Sequence, residues 1–166
     1  MSSASQKKTP LKKGDRIFDL KSSTLYRVIF GDTDQMKIVY HANYLRFFER
    51  GRCEFLRDRQ LSYSEMEGNG FILPVVDAHC RYKKPATFDD LIRIETTLEK
   101  VSRVRVYFTY RILRDHDDVL LCEGETIHAV LDPDGKILRT DAVLKLMPDL
   151  LTQPTSSDPS SAIPAA

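Results

Sequence analysis

The chain has 166 residues, 42% of them hydrophobic and 30% charged, enough for one globular domain with a real core. Lys and Arg number 25 and Asp and Glu 24, a formal net charge of +1, so charge argues for neither nucleic acid nor an anionic membrane as main partner. No apolar run approaches the ~18 residues of a membrane span, and the polar stretch Met1–Arg16 lacks a signal-peptide core. Cys53, Cys80 and Cys122 are far apart with no CxxC, which reads as reduced thiols in a soluble, cytoplasmic protein.

Residues 1–21, rich in Ser and Lys, read as a mobile arm, residues 22–152 as the folded domain, and residues 153–166, with Ser156-Ser157-Asp158-Pro159, as a disordered tail. Thr24, Tyr26, Val28 and Phe30 alternate with Leu25, Arg27 and Ile29, which predicts a strand. Then comes the connection Gly31–Asn43, carrying Asp32, Asp34 and His41, and a helix over Tyr44–Leu61. Tyr44, Phe47, Phe48, Gly51 and Phe55 give that helix an apolar face, widened by Leu45 and Leu56, with Asn43 as its N-cap. Gly51 is costly inside a helix and implies close approach to another element. Arg46, Arg50, Arg57 and Asp58 are expected to face solvent.

Past a loop with Gly68-Asn69-Gly70, the pattern turns to period two. Strands are expected over Phe71–Tyr82, interrupted at Pro74, Asp90–Glu99, Arg103–Leu113 and Val119–Leu131. Asp132-Pro133-Asp134-Gly135 is a turn, after which residues 136–138 can extend the sheet, and Asp141–Leu151 reads as a short helix. The fold class is therefore α+β: an antiparallel sheet of about five strands curved around one long helix. Its edges and outer Tyr and Arg residues suggest self-association.

Gly31-Asp32-Thr33-Asp34, Val39-Tyr40-His41-Ala42-Asn43-Tyr44-Leu45 and Phe48-Glu49-Arg50-Gly51-Arg52 together resemble the signature of hotdog-fold acyl-CoA thioesterases of the 4-hydroxybenzoyl-CoA thioesterase type. Within these, the chain is most similar to the branch associated with the Tol–Pal cluster of Gram-negative bacteria. Tyr82-Lys83-Lys84-Pro85-Ala86 and Asp89-Asp90 continue the resemblance, which spans roughly Leu25 to Val130. It implies a homodimer or homotetramer with an active site at the dimer interface. It also implies hydrolysis of an acyl-CoA, or an acyl group on acyl carrier protein, with no cofactor and no metal.

The resemblance assigns the catalytic carboxylate to Asp34, as nucleophile or general base, and puts His41 beside the thioester. Backbone N–H groups of Tyr40, His41 and Ala42 would polarise its carbonyl. For Asp34 the competing reading is an Asx turn, and for His41 plain packing. Asp32, Asn43 and Tyr44 read as loop support. Glu49 is the rival acid, read instead as a partner of Arg52 or Arg46, or as a polar lock on the loop. Lys83, Lys84, Arg103 and Arg105 are candidates for coenzyme A phosphates against ordinary solvation. His79, His116 and His128 lack metal-ligand spacing. No G-x-S-x-G, P-loop or G-x-G-x-x-G occurs. Lys37 stands where relatives of this type carry glycine, a position of special backbone conformation or close ligand approach. The other readings are a non-catalytic acyl-CoA or acyl-carrier-protein binding module and, more remotely, a dehydratase on the same fold.

Overall fold

The computed structural model describes residues 12 and 14–148. The long predicted arm and tail therefore fall mostly outside the described residues. Five strands, β1 (Arg16–Arg27), β2 (Val75–Tyr82), β3 (Leu91–Val101), β4 (Arg105–Arg114) and β5 (Val119–Ala129), form one antiparallel sheet in the order β1-β3-β4-β5-β2. The helices are α1 (Asn43–Arg57), α2 (Tyr63–Gly68) and α3 (Thr140–Leu144).

All five expected strands form, and the period-two pattern reports the buried face within them, although β1 ends at Arg27 so that Phe30 is exposed in a short 3-10 turn, and Val104 precedes β4. Ile92, Ile94, Thr96 and Leu98 of β3, and Val106, Phe108, Tyr110 and Ile112 of β4, are buried. Register aligns them in rows across the sheet. One row runs Thr24, Ile94, Ile112, Cys122, Tyr82; the next runs Ser22, Thr96, Tyr110, Gly124, Cys80. The second row receives α1. A Cβ on Gly51 would stand 2.2 Å from Thr96 Oγ1, and one on Gly124 would stand 2.6 Å from the Phe48 ring. Each glycine thus removes the one side chain that would hold helix and sheet apart. Phe48 then stacks on Tyr110 with centroids 4.3 Å apart and planes 9° from parallel. Phe47, Phe55 and Leu56 complete the buried face of α1.

Four local expectations are corrected. First, β1 begins at Arg16 rather than Thr24, so residues 16–21 belong to the sheet and not to a mobile arm. Ile17 pairs with Lys100, whose buried ammonium lies 3.5 Å from the equally buried carboxylate of Asp15. That paired charge holds the strand start, which composition alone does not reveal. Second, Asn43 is not the N-cap of α1; Ala42 is, and the Asn43 side chain donates to the Asp32 carbonyl at 2.9 Å. Third, Leu45 is exposed and does not widen the apolar face. Fourth, the helical run to Leu61 is broken: α1 stops at Arg57, Gln60 takes φ +56°, and α2 follows. The signal for α2 was present as Ser62-x-x-Glu65, in which Ser62 Oγ accepts from Glu65 N and Glu65 accepts from Ser62 N at 2.7 Å.

Among the described residues β2 lies at one edge and pairs only with β5, with a register shift between Val75 and Asp77 just after Pro74, so the proline's missing donor costs no central ladder bond. Leu131 bridges Ile137 across the Asp132–Gly135 turn, which adds the expected short extension.

Candidate active site

The connection between β1 and α1 is tied together by Asp32. Its buried carboxylate accepts from Tyr26 Oη at 2.8 Å and from Ile29 N at 3.0 Å. Its carbonyl accepts from Tyr40 N and from Asn43 Nδ2, both at 2.9 Å. One residue therefore fixes the end of the strand, the return of the loop and the first turn of the helix. Within that frame Asp34 to Ile38 form a tight reversal. Asp34 N donates to Ile38 O, and Lys37 N to Asp34 O, both at 2.9 Å. Lys37 sits at φ +63°, the left-handed conformation that glycine adopts freely. The loop shape expected of a glycine is thus retained with lysine, whose side chain is exposed.

Asp34 is half-buried, and one carboxylate oxygen, Oδ1, accepts from Met36 N at 2.8 Å. That is the Asx turn, and it holds the carboxylate in a set direction while the second oxygen keeps its lone pairs.

At the start of α1 the backbone donors divide. Tyr40 N–H goes to Asp32, Asn43 N–H to Tyr40 O at 2.9 Å, Tyr44 N–H to His41 O at 3.3 Å and Leu45 N–H to Ala42 O at 3.2 Å. Among the described residues the N–H groups of His41 and Ala42 have no acceptor. Of the three expected donors, Tyr40 is therefore already committed, and His41 and Ala42 remain open at the positive end of the helix.

Beside them lies a cleft of about 300 Å³. Ile38, Val39 and His41 contribute from the loop, Tyr44 from α1, Tyr82 from the end of β2 and Lys83, Lys84 and Pro85 from the segment that follows. The loop docks there through Val39 N to Ala86 O at 2.8 Å and a bridge between Ile38 and Thr87. Tyr82 Oη donates to the His41 carbonyl at 3.1 Å, which closes one wall. Burial pushes the Tyr82 and Tyr44 phenols up to about 12, so both stay protonated at neutral pH. Asp34 does not line this cleft directly; its main chain is bonded to Ile38, which does.

The remaining expected residues separate. Lys83 and Lys84 are at the cleft, with Lys83 Nζ 3.0 Å from Glu123. Arg103 and Arg105 are at the opposite end of the sheet, because Arg105 pairs with Ala129 whereas Tyr82 pairs with Cys122 at the cleft end. Within one chain they do not join the lysines. Glu49 is exposed and pairs with neither Arg46 nor Arg52 among the described residues. The reason is that Arg52 is buried and directed to two phenols, Tyr63 Oη at 3.3 Å and Tyr110 Oη at 3.1 Å. From Tyr110 the chain of bonds continues to Thr126 at 2.7 Å and His128 Nε2 at 2.9 Å, with His128 Nδ1 against Leu73 O. Burial and the nearby Arg52 cation lower the His128 pKa to about 4, so it is neutral and structural. No group of His, Cys, Asp and Glu suited to a metal is found among the described residues.

A five-stranded antiparallel sheet packed on one long helix is the hotdog architecture that the sequence resemblance implies. Residues 28–158 match the profile of the thioesterase-like superfamily, and the chain belongs to that family. It is 34% identical over 107 residues to the protein of Escherichia coli O157:H7 named acyl-CoA thioester hydrolase YbgC, covering 64% of this chain and 79% of the relative. A crystal structure of a hypothetical protein from Aquifex aeolicus superposes with a TM-score of 0.71 at 35% identity, covering 76% of this chain and 98% of that one. The DHNA-CoA thioesterase of Staphylococcus aureus superposes with a TM-score of 0.71 at 30% identity, covering 79% and 86%.

Proposed function

We propose that the protein hydrolyses an acyl-CoA to the free acid and coenzyme A. The observation that carries this is the pair of open donors, His41 N–H and Ala42 N–H, at the N-terminus of α1, on the same short connection that holds the Asp34 carboxylate. The thioester oxygen accepts from those two donors. Negative charge develops on that oxygen as the carbonyl is attacked, so fixed dipoles aimed at it favour the transition state over the bound substrate. The Asp34 carboxylate either attacks the carbonyl carbon, expelling the thiolate, or takes a proton from an attacking water. His41 orients the acyl group from the cleft wall. Lys83 and Lys84 receive the phosphates of coenzyme A. The names carried by the relatives support the substrate class.

The site works in a self-paired, cytoplasmic molecule. Among the described residues β2 offers an unpaired backbone edge with Val75 and Val76 exposed, and a second copy's β2 meets it there. That arrangement brings another chain's residues toward the cleft end.

The experiment is thiol release from short, long and aromatic acyl-CoAs by wild type and Asp34→Asn. A folded Asp34→Asn protein is expected to lose ~10²–10⁴-fold in turnover. Wild-type turnover in that variant removes Asp34 from the mechanism. Saturable binding by wild type with every acyl-CoA left intact replaces the enzyme with a binding module. Sedimentation gives the oligomeric state alongside.

A further inference from the structure

Cys80 on β2 and Cys122 on β5 project to the same face of the sheet, one row apart, with Gly124 and Tyr82 as their direct register partners. Their sulfurs lie 3.6 Å apart. Cys122 is fully buried, while Cys80 is partly open. Both sit directly behind the Tyr44 and Tyr82 wall of the cleft, whose rings meet edge to face at 5.3 Å. The hydrogen bond from Cys122 draws the Cys80 pKa well below the ordinary thiol range, Tyr82 adds to the effect, and Cys122 is correspondingly raised. Cys53, on α1, has the opposite setting: burial and the Glu49 carboxylate raise its pKa. One chain thus carries a nucleophilic thiol with a second thiol in reach, and a third that serves as an internal control.

We propose that Cys80 and Cys122 are a peroxide-responsive pair that closes to an intramolecular disulfide between β2 and β5, behind the cleft wall. The Cys80 thiolate attacks one oxygen of a hydroperoxide. An S–O bond forms, the O–O bond breaks, and the leaving oxygen departs as water or alcohol after taking a proton from solvent. The Cys122 thiol then attacks the Cys80 sulfenic sulfur. The S–S bond forms, the S–O bond breaks, and the departing hydroxide takes the Cys122 proton as water. Two thiols are oxidised by two electrons and one peroxide is reduced. The sulfurs must close from 3.6 Å to a bond of ~2.05 Å. Within the chain β2 pairs, among the described residues, with β5 alone, so the closing movement is a shift of β2 against that one strand. Tyr82, two residues beyond Cys80, moves with it and reshapes the cleft; this consequence alone rests on the thioesterase reading.

The test is intact-protein mass and peptide mapping after stoichiometric hydrogen peroxide at neutral pH. Wild type should lose the two thiol hydrogens, show a Cys80–Cys122 cross-linked peptide, and regain both thiols with a dithiol reductant. Cys53→Ser should behave as wild type. Cys80→Ser should form no bridge, and Cys122→Ser should hold a sulfenic acid at Cys80 that dimedone traps. Full alkylation of both thiols in peroxide-treated wild type, or oxidation of Cys53 ahead of Cys80, overturns the proposal. Bridge formation without any acyl-CoA turnover in the reduced protein leaves the thiol pair standing and removes only the thioesterase reading.

Discussion

The two ends of α1 are built on opposite terms. At the C-terminal half every strong polar group has a destination. Arg52 reaches two phenols, the Asp58 carboxylate takes the Ser22 hydroxyl, and Asp58 N–H bonds back to Glu54 O at 2.9 Å. At the N-terminal end His41 and Ala42 leave their N–H groups open, and Tyr40, His41 and Ala42 are all exposed. The backbone there is nonetheless fixed, by four hydrogen bonds to Asp32. Open donors on a rigid frame can bind an oxygen without reorganising. The closed end supplies stability, and the open end carries the chemistry proposed above. Changes at the two ends should therefore separate activity from stability.

The sharpest separation is expected at His41. The turn Tyr40–Asn43 is closed by Asn43 N to Tyr40 O, so His41 occupies its second position, where proline is well tolerated. His41→Pro deletes an N–H that has no partner among the described residues, together with the imidazole; His41→Ala deletes the imidazole alone. The proline variant should melt close to the alanine variant yet turn over acyl-CoA ~10²–10³-fold more slowly. Equal rates in the two would mean that this N–H grips nothing.

The closed end answers to pH. His128 is buried and neutral, with a pKa near 4 in the folded protein against an ordinary value of 6.5. Below 6.5 the unfolded chain binds a proton that the folded one refuses. Stability should therefore be full above pH 6.5 and fall as the pH drops toward 4, by up to about 3 kcal/mol from this group. Chemical denaturation of wild type and His128→Gln across that range should give a shallower slope in the variant.

Packing comes next. Gly51→Ala places a methyl 2.2 Å from Thr96 Oγ1 and 2.9 Å from Ile94 Cγ2. Both are short, stiff, buried β-branched side chains, so relief requires movement of helix or strand. The gain in helix propensity is ~1 kcal/mol, and overpacking costs ~1–3 kcal/mol. A net loss of about 1 kcal/mol is expected in urea unfolding, with turnover per folded molecule nearly unchanged.

The same division explains what could be read beforehand. Period-two runs such as Ile92–Leu98 and Val106–Ile112 carry their own burial pattern, and Gly51 signals the close approach of helix and sheet. Such signals are local, because a strand's two faces differ along its own length. The loop signature carried the family. Contacts that depend on register across the sheet were not legible. The Arg52–Tyr110–Thr126–His128 chain spans three elements, and nothing near Glu49 says that Arg52 turns inward. Cys80 and Cys122 look remote at a separation of 42 residues and become neighbours only through the pairing of β2 with β5. Charge alone groups Arg103 and Arg105 with Lys83 and Lys84, and topology sends them to opposite ends. The Ser62-x-x-Glu65 capping box, by contrast, is a local signal present in the sequence itself.

The smallest effect belongs to those lysines, and it tests how far the open end extends. Lys83 already faces Glu123 at 3.0 Å, half exposed to water, so only part of its charge is free for a phosphate. Lys83→Ala with Lys84→Ala should raise KM for acyl-CoA several-fold and leave kcat nearly intact, since the phosphates lie far from the reacting carbonyl and bind equally in ground and transition states. The effect should shrink as salt is added, because exposed charges are screened within ~10 Å at 0.1 M. Glu123→Gln makes the converse case. It releases Lys83 from its carboxylate and should lower KM modestly, with the gain again lost at high salt. If neither substitution moves KM, the lysines only solvate the rim, and the open end of the molecule is confined to the Asp34–Ala42 connection.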